Sequence, residues 1–172
     1  MPISLRRMKV TDLLEMQNAN LHCLPENYHM WYWLYHFLLA PQAAHVAVDK
    51  KGKILGYVLG KTEDENNGKK KEKPSGHITS VATYSRFRKL GIATKLLTYT
   101  HRTLRECFHA DHVDLNVRET NRAAHILYQR TLGYKFVKIE EGYYADGENG
   151  WYLRYKYPDD YNSKNGIPEF GT

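Results

Sequence analysis

Residues 92–107 place the strongest constraint on how this chain can fold. Ile92, Leu96, Thr100, Leu104 and Cys107 recur at helical spacing, so a long helix must bury that stripe. A strand-like run stands on either side, at 77–83 and at 112–117. Two more runs, 45–48 and 54–59, flank Asp49-Lys50-Lys51-Gly52, which has the composition of a hairpin turn. Hairpin strands, then strand, helix, strand, helix and closing strands, predict an α/β architecture. Its sheet is mixed, with helices on both faces, and it is neither a bundle nor a sandwich.

Caps and breakers supply the remaining elements. A short strand is expected at 3–5. Thr11 can cap a helix bearing Leu13, Leu14, Leu21 and Leu24, which Pro25 ends. A helix with aromatics on most sides is expected over 28–39 and stops before Pro41. Asn121 starts another, with Ala124, Leu127, Tyr128 and Leu132 on one face and Gly133 at its stop. Strands at 134–139 and 151–157 close around Asp146-Gly147. Between 63 and 76, acidic residues give way to Asn-Gly, a lysine run and Pro74, the composition of a flexible basic loop. After Pro158 the chain turns polar and nonperiodic. Residues 1–157 are therefore expected to form one domain and 158–172 a tail.

Composition narrows the functional class. With 42% hydrophobic and 26% charged residues, wholesale disorder is excluded. No run approaches the roughly 20 apolar residues that span a bilayer, and the opening MPISLRRMKV lacks the apolar core of a secretory signal. Cys23 and Cys107 make no disulfide framework, and neither they nor His22, His29, His101 and His109 show metal-ligand spacing, so no metal is expected. The chain reads as cytoplasmic. Its net charge of +6 favours an anionic partner: nucleic acid, a ribosomal surface, a membrane face or a phosphorylated cofactor.

Chemistry concentrates in Arg86-Phe87-Arg88-Lys89-Leu90-Gly91-Ile92-Ala93-Thr94, between a strand and the start of the long helix. A helix N-terminus presents about four unpaired N–H groups and roughly half a positive charge. Gly91 and Ala93 leave the backbone accessible, and Arg86, Arg88 and Lys89 add full charges, which together suit a diphosphate. The alternative is a basic, solvated helix start. Gly56-Tyr57-Val58-Leu59-Gly60-Lys61-Thr62 falls one residue short of a P-loop and sits on a strand, and no GxGxxG occurs. Nucleoside-triphosphatase and dinucleotide chemistry are thus disfavoured.

Arg88-Lys89-Leu90-Gly91-Ile92-Ala93 resembles the R/Q-x-x-G-x-G/A signature of the GNAT acyltransferases, which hold the pyrophosphate of acetyl-CoA. Asn121-Arg122-Ala123-Ala124 with Tyr128 and Leu132-Gly133-Tyr134 resembles that family's second motif. Cys23-Leu24-Pro25-Glu26-Asn27-Tyr28, Gly76-His77-Ile78-Thr79-Ser80, Val117-Arg118 and Tyr143-Tyr144-Ala145-Asp146-Gly147-Glu148 resemble the catalytic subunits of NatA-type N-terminal acetyltransferases, the arrest-defective family, over nearly all of residues 1–157. The resemblance implies a GNAT fold, a mostly antiparallel sheet whose central strands splay apart. It also implies acetyl-CoA as co-substrate, nascent polypeptide N-termini as acceptors, and a large helical-repeat auxiliary subunit and the ribosome as partners.

The same resemblance distributes roles. Backbone N–H groups around Val81, Ala82 and Thr83 would face the thioester oxygen. Arg86, Arg88, Lys89, Leu90, Gly91, Ile92, Ala93, Thr94 and Asn121 would hold the cofactor. Tyr128 would serve the leaving thiolate, although its spacing with Ala124 and Leu127 also fits a packed core tyrosine. Glu26 is the candidate base or amine-orienting carboxylate, acting through water. His77 is a second proton relay or a strand histidine bonded to a neighbour. Asn116 stands where relatives carry a histidine, and an amide cannot act as a base. Leu24, Pro25 and Tyr28 would wall a peptide groove opposite Tyr143 and Tyr144.

An α-amino group titrates near 7.7 to 8.0 against about 10.4 for lysine, so an N-terminal acceptor needs only modest base assistance. Two other readings stay open: a GNAT enzyme acting on lysine side chains or small amines, and a basic ribosome- or RNA-binding module with a vestigial cofactor cleft. For the second, the lysine run at 69–73 would contact RNA or an auxiliary protein, or be solvated surface.

Overall fold

The strands that reach into the middle of this protein are apolar on both faces, because helices cover both sides of the sheet. A computed structural model describes residues 2–63, 74–159 and 161. In chain order these form β1 (Ile3–Arg7), α1 (Leu13–Cys23), α2 (Met30–Leu39), β2 (Ala44–Asp49), β3 (Ile54–Glu63), β4 (Ser75–Thr83), α3 (Ile92–Phe108), β5 (His112–Arg118), α4 (Arg122–His125), β6 (Lys135–Glu140) and β7 (Gly150–Lys156). The strands form one seven-stranded sheet in the order β1-β2-β3-β4-β5-β7-β6. Every neighbouring pair is antiparallel except β4 and β5, which α3 connects as a crossover.

Alternation along β2 and β3 divides the core. Ala47, Leu55 and Val58 face α3 with Ile92, Leu96, Leu97 and Leu104. Val46, Val48, Ile54, Tyr57 and Leu59 face Met16 of α1 and Trp33 of α2. The near P-loop segment lies wholly within β3.

A bulge decides where the sheet opens. Ile78 pairs with Gly60 and Ser80 with Leu59, leaving Thr79 unpaired. The parallel pairing of β4 with β5 covers only Gly76, His77 and Ile78 and ends at that bulge. The extra residue increases local twist, and β4 and β5 part beyond it as expected. From Ser80 to Thr83, β4 is paired on its β3 side alone.

Several boundaries differ from expectation. Asp12, not Thr11, occupies the N-cap of α1, and its carboxylate accepts from Arg6 and from the Lys9 N–H rather than capping the helix. Leu14 and Leu21 are exposed; Leu13, Met16, Ala19 and Asn20 form the buried face, and Leu24 lies beyond the helix. Hence the predicted apolar stripe of α1 was rotated. Tyr28 precedes α2 in an extended segment. Cys107 of α3 is exposed, and Tyr134 is a buried residue before β6. The loop expected over 63–76 is shorter at both ends, since β3 continues to Glu63 and β4 begins at Ser75. The lysine run at 69–73 and most of the tail lie outside the described residues.

The helix expected from Asn121 to Leu132 is split. One α-helical turn, Arg122–His125, runs into a π-helical turn, Ile126–Thr131, closed by a Leu132 N–H to Leu127 carbonyl bond of 3.1 Å. Such turns widen a helix and re-aim a side chain. Here Tyr128 is driven inward to 7% exposure.

Candidate active site

The anion cradle is built by the turn between β4 and α3. A single 3-10 turn, Ser85–Phe87, brings Arg86 over the Phe87 ring, 4.8 Å from its centroid. Arg88 donates from Nε to the Thr83 carbonyl at 3.2 Å, tying the turn to the end of β4. Lys89 and Gly91 both adopt left-handed backbone, at φ 62° and 74°. For lysine that conformation is strained, and it stands two residues before the left-handed glycine that opens α3. The first backbone bond of α3 runs from Lys95 N–H to Gly91 carbonyl, 3.0 Å, so the N–H groups of the first turn remain available. Nothing lies within 4 Å of where a Gly91 Cβ would stand. A diphosphate could approach there closely, so the residues present fit the phosphate arm of coenzyme A.

Not every side chain of the expected cradle takes part. Ile92 is buried in the core and offers only its N–H, and Leu90 is exposed. Ala93 and Thr94 sit in the open first turn. Asn121 uses Oδ1 to cap α4 through the Ala124 N–H at 3.2 Å, leaving its amide nitrogen for a ligand. Val81, Ala82 and Thr83 occupy the splayed half of β4. Among the described residues the buried Thr83 hydroxyl has no partner, and it is turned toward Gly56.

A second centre lies at Arg118, the last residue of β5. Its Nε and Nη2 both reach Oε1 of Glu26, at 2.9 and 2.5 Å, while Nη1 reaches Asp146 at 2.8 Å and Glu148 at 2.7 Å. The guanidinium also lies 4.2 Å from the Tyr144 ring centroid. One cation therefore ties the segment between α1 and α2 to the loop between β6 and β7. Burial opposes its charge, but bonds to Glu148, Glu26 and Asp146 outweigh this and hold the guanidinium firmly protonated. Glu148 titrates below the usual carboxylate range, through Thr120 first and then Arg118. Both bonds to Glu26 fall on Oε1, so Oε2 has no protein donor among the described residues.

Around this cation the tyrosines converge. Burial raises the Tyr144 hydroxyl well above its ordinary pKa, with further contributions from Glu26, Tyr143 and Tyr128. Tyr28 is raised by burial, then by Glu26 and Tyr143. Burial alone raises Tyr128, so its hydroxyl stays protonated at neutral pH, and among the described residues no hydrogen bond holds it. Glu26, Tyr28, Tyr128, Tyr143 and Tyr144 are thus linked by their mutual electrostatic influence.

His77 stands apart from that group. It pairs in register with Lys61 and Asp114, and burial lowers its imidazole despite Glu63, Asp114 and Glu140 nearby. Its buried Nδ1 has no partner among the described residues. Asn116 donates to Glu140 at 2.6 Å. Among the described residues no cluster of His, Cys, Asp or Glu could hold a metal ion.

Sequence reasoning gave no role to Arg118, Asp146 or Glu148, although all three stood inside the quoted motifs. Their pairing spans 92, 28 and 30 residues, and no periodic signal marks it.

A mostly antiparallel sheet that splays beside a basic turn opening a long helix is the arrangement expected of GNAT-type acyltransferases. Comparison with known proteins agrees: the Acetyltransferase (GNAT) family model matches residues 10–134. The chain is 50% identical over 152 residues to the N-terminal acetyltransferase A complex catalytic subunit NAA10 of Arabidopsis thaliana, covering 88% of this chain and 77% of that protein. It is 51% identical over 149 residues to the N-terminal acetyltransferase complex ARD1 subunit homolog of Dictyostelium discoideum, covering 87% and 70%. Among solved structures, Chaetomium thermophilum Naa20 in complex with a bisubstrate analogue superposes with a TM-score of 0.78 at 28% identity, covering 98% of this chain and 93% of that one. The chain belongs to the GNAT acetyltransferase family and, within it, to the N-alpha-acetyltransferase catalytic subunits.

Proposed function

We propose that this protein transfers the acetyl group of acetyl-CoA to the α-amino group of polypeptide N-termini, as the catalytic member of a NatA-type complex acting on nascent chains. The observation that carries this reading is the Arg118 tie. By joining Glu26 to Asp146 and Glu148 it bridges the two loops that wall the groove. A bridged groove suits a chain entering by its end, whereas a mid-chain lysine needs main chain to pass on both sides.

Within that groove the roles follow from protonation and position. Glu26 orients the amine and accepts its proton through water at the free Oε2. Backbone N–H groups in the splayed part of β4 stabilise negative charge on the thioester oxygen as nitrogen bonds to the carbonyl carbon. When the carbon–sulfur bond breaks, the protonated Tyr128 hydroxyl donates to the departing sulfur. His77 is a relay to the polar sheet face rather than to the amine itself. Burial lowers its pKa, so the imidazole rests in the neutral form.

An auxiliary subunit is supported by the relatives' description as parts of complexes and by apolar side chains left outward. Leu14 is 74% exposed and Leu38 69%, with Leu21 and Leu39 beside them on α1 and α2. A net charge of +6 suits the ribosomal surface. Among the described residues no helix is long and apolar enough to cross a membrane.

The deciding experiment measures thiol release from acetyl-CoA with peptides beginning Ser, Ala, Glu or Met, against an N-blocked lysine peptide. Acetylation of free N-termini is expected. Activity confined to the blocked lysine peptide would refute the proposal.

A further inference from the structure

A buried chain of hydrogen bonds runs from the segment that carries Glu26 to the half of β4 that has left β5. Residues 24–29 belong to no helix or strand. Asn20, on the buried face of α1, holds them from within. Its Nδ2 donates to the Glu26 carbonyl at 2.9 Å, and its Oδ1 accepts from the Tyr28 N–H at 3.3 Å. The same Nδ2 donates to the Tyr57 hydroxyl at 3.3 Å, and that hydroxyl lies 2.9 Å from Ser80 Oγ. Asn20 and Tyr57 are fully buried, and Ser80 is buried beside them.

We propose that Asn20, Tyr57 and Ser80 are positioning residues, a bridge that sets the separation between the Glu26 carboxylate and the N–H groups of β4 assigned to the thioester. This deepens the reading of the protein as an N-terminal acetyltransferase and rests on it.

The donor and acceptor pattern fixes the direction of each bond. A main-chain carbonyl needs a donor and a main-chain N–H an acceptor, so the Asn20 amide fits in one orientation only. Tyr57 therefore accepts from Asn20, and its own proton goes to Ser80. Burial raises the Tyr57 hydroxyl above its ordinary pKa against the opposing bonds to Ser80 and Asn20, which keeps that proton in place. Trp33 holds the Tyr57 ring edge to face, centroids 5.3 Å apart at 82°.

Position gives the bridge its purpose. Ser80 is the first residue of β4 beyond the bulge, where pairing with β5 has ended, and the bridge anchors the strand there through a side chain. At the other end Glu26 is gripped twice: Arg118 takes Oε1 of its carboxylate and Asn20 takes its carbonyl. The distance from Oε2 to β4 is thus set by side chains rather than by the loop's own backbone. Packing alone does not call for this arrangement. Apolar side chains of similar size would fill the places of Asn20 and Tyr57 without polar groups to satisfy. A buried polar network whose members are paired holds one geometry, which is what a reaction between groups on two separate segments needs.

The test measures kcat for thiol release by the full chain, with acetyl-CoA and a peptide beginning Ser both saturating. Tyr57→Phe cuts the bridge in the middle and leaves the ring packed against Trp33. Ser80→Ala cuts it at the β4 end and carries the test should Tyr57→Phe fail to fold, which melting temperatures report. Each substitution should lower kcat about tenfold, the effect of a shift of roughly half an ångström between carboxylate and thioester. In a Glu26→Gln background the same substitutions should lower kcat less than about threefold, because the bridge acts through the carboxylate that is gone. Wild-type kcat in either folded variant overturns the proposal. An equal loss with and without the Glu26 carboxylate overturns it too, and leaves the bridge a purely structural element. If Glu26→Gln itself keeps wild-type kcat, or only the N-blocked lysine peptide is acetylated, the underlying reading fails and the bridge with it.

Discussion

Gly56 offers a direct test of whether the end of β4 must stay where it is for catalysis. Gly56 pairs with Thr83 across the β3–β4 ladder, at the point where β4 would present its N–H groups to the thioester. A Cβ at this position would lie 2.7 Å from the Ala82 carbonyl oxygen, 3.0 Å from Thr83 Oγ1 and 3.3 Å from Thr83 Cα. The first and last of these atoms belong to the backbone, so no side-chain rotation relieves the contact. To reach ordinary contact distance, Ala82 and Thr83 must move by roughly half an ångström. Overpacking of this kind costs about 1–3 kcal/mol, which lowers the melting temperature of a domain this size by roughly 3–10 °C. The displaced donors are those assigned to the thioester oxygen, and misplacement on this scale should lower kcat about tenfold or more. Thermal denaturation and thiol release on Gly56→Ala measure the two effects together. Gly52→Ala is the control: it lies in the hairpin turn at φ +82° with nothing within 4 Å, so it meets backbone strain without a clash. If Gly56→Ala keeps both the wild-type melting temperature and kcat, β4 does not position the reaction and the site assignment fails.

Two further outcomes are expected. Gly91→Ala strains a φ of +74° by about 1–2 kcal/mol. It also fills the space left for the diphosphate, so coenzyme A affinity by calorimetry should weaken roughly tenfold or more, about the loss of one charge-assisted hydrogen bond; unchanged affinity would relocate the cradle. Stability should also fall with acid in a specific window. Burial pushes His45 and His101 down to about 3, below the ordinary 6.5, so the folded state refuses protons that the unfolded chain accepts. Their contribution is complete above about pH 6.5 and is lost as pH falls toward 3, at about 1.4 kcal/mol per pH unit for each. Urea denaturation at pH 7.5, 6.5 and 5.5 should show the decline beginning before carboxylates titrate, and a flat profile would contradict it.

What residue order alone determined was local. The burial of Ile92, Leu96, Thr100 and Leu104 on one face of α3 was legible because a helix repeats every 3.6 residues. The turn proposed to bind an anion stood out because Gly91 and its basic neighbours are contiguous, and Glu26, Tyr28, Tyr143 and Tyr144, proposed to line the groove, because their short motifs are specific. Tertiary structure decided the rest. Which side of α1 is buried could not be read, because its leucines cluster within about 100° of the circumference beside the face that is buried, and only the sheet beneath selects Leu13 and Met16 over Leu14 and Leu21. The bulge at Thr79, the π-helical turn that sinks Tyr128, and the Arg118 centre joining residues up to 92 positions apart carry no local pattern. Each is a balance among groups that meet only once the sheet has formed. Propensity and spacing act between near neighbours in the chain, whereas a charge satisfied by three distant carboxylates exists only in the folded molecule.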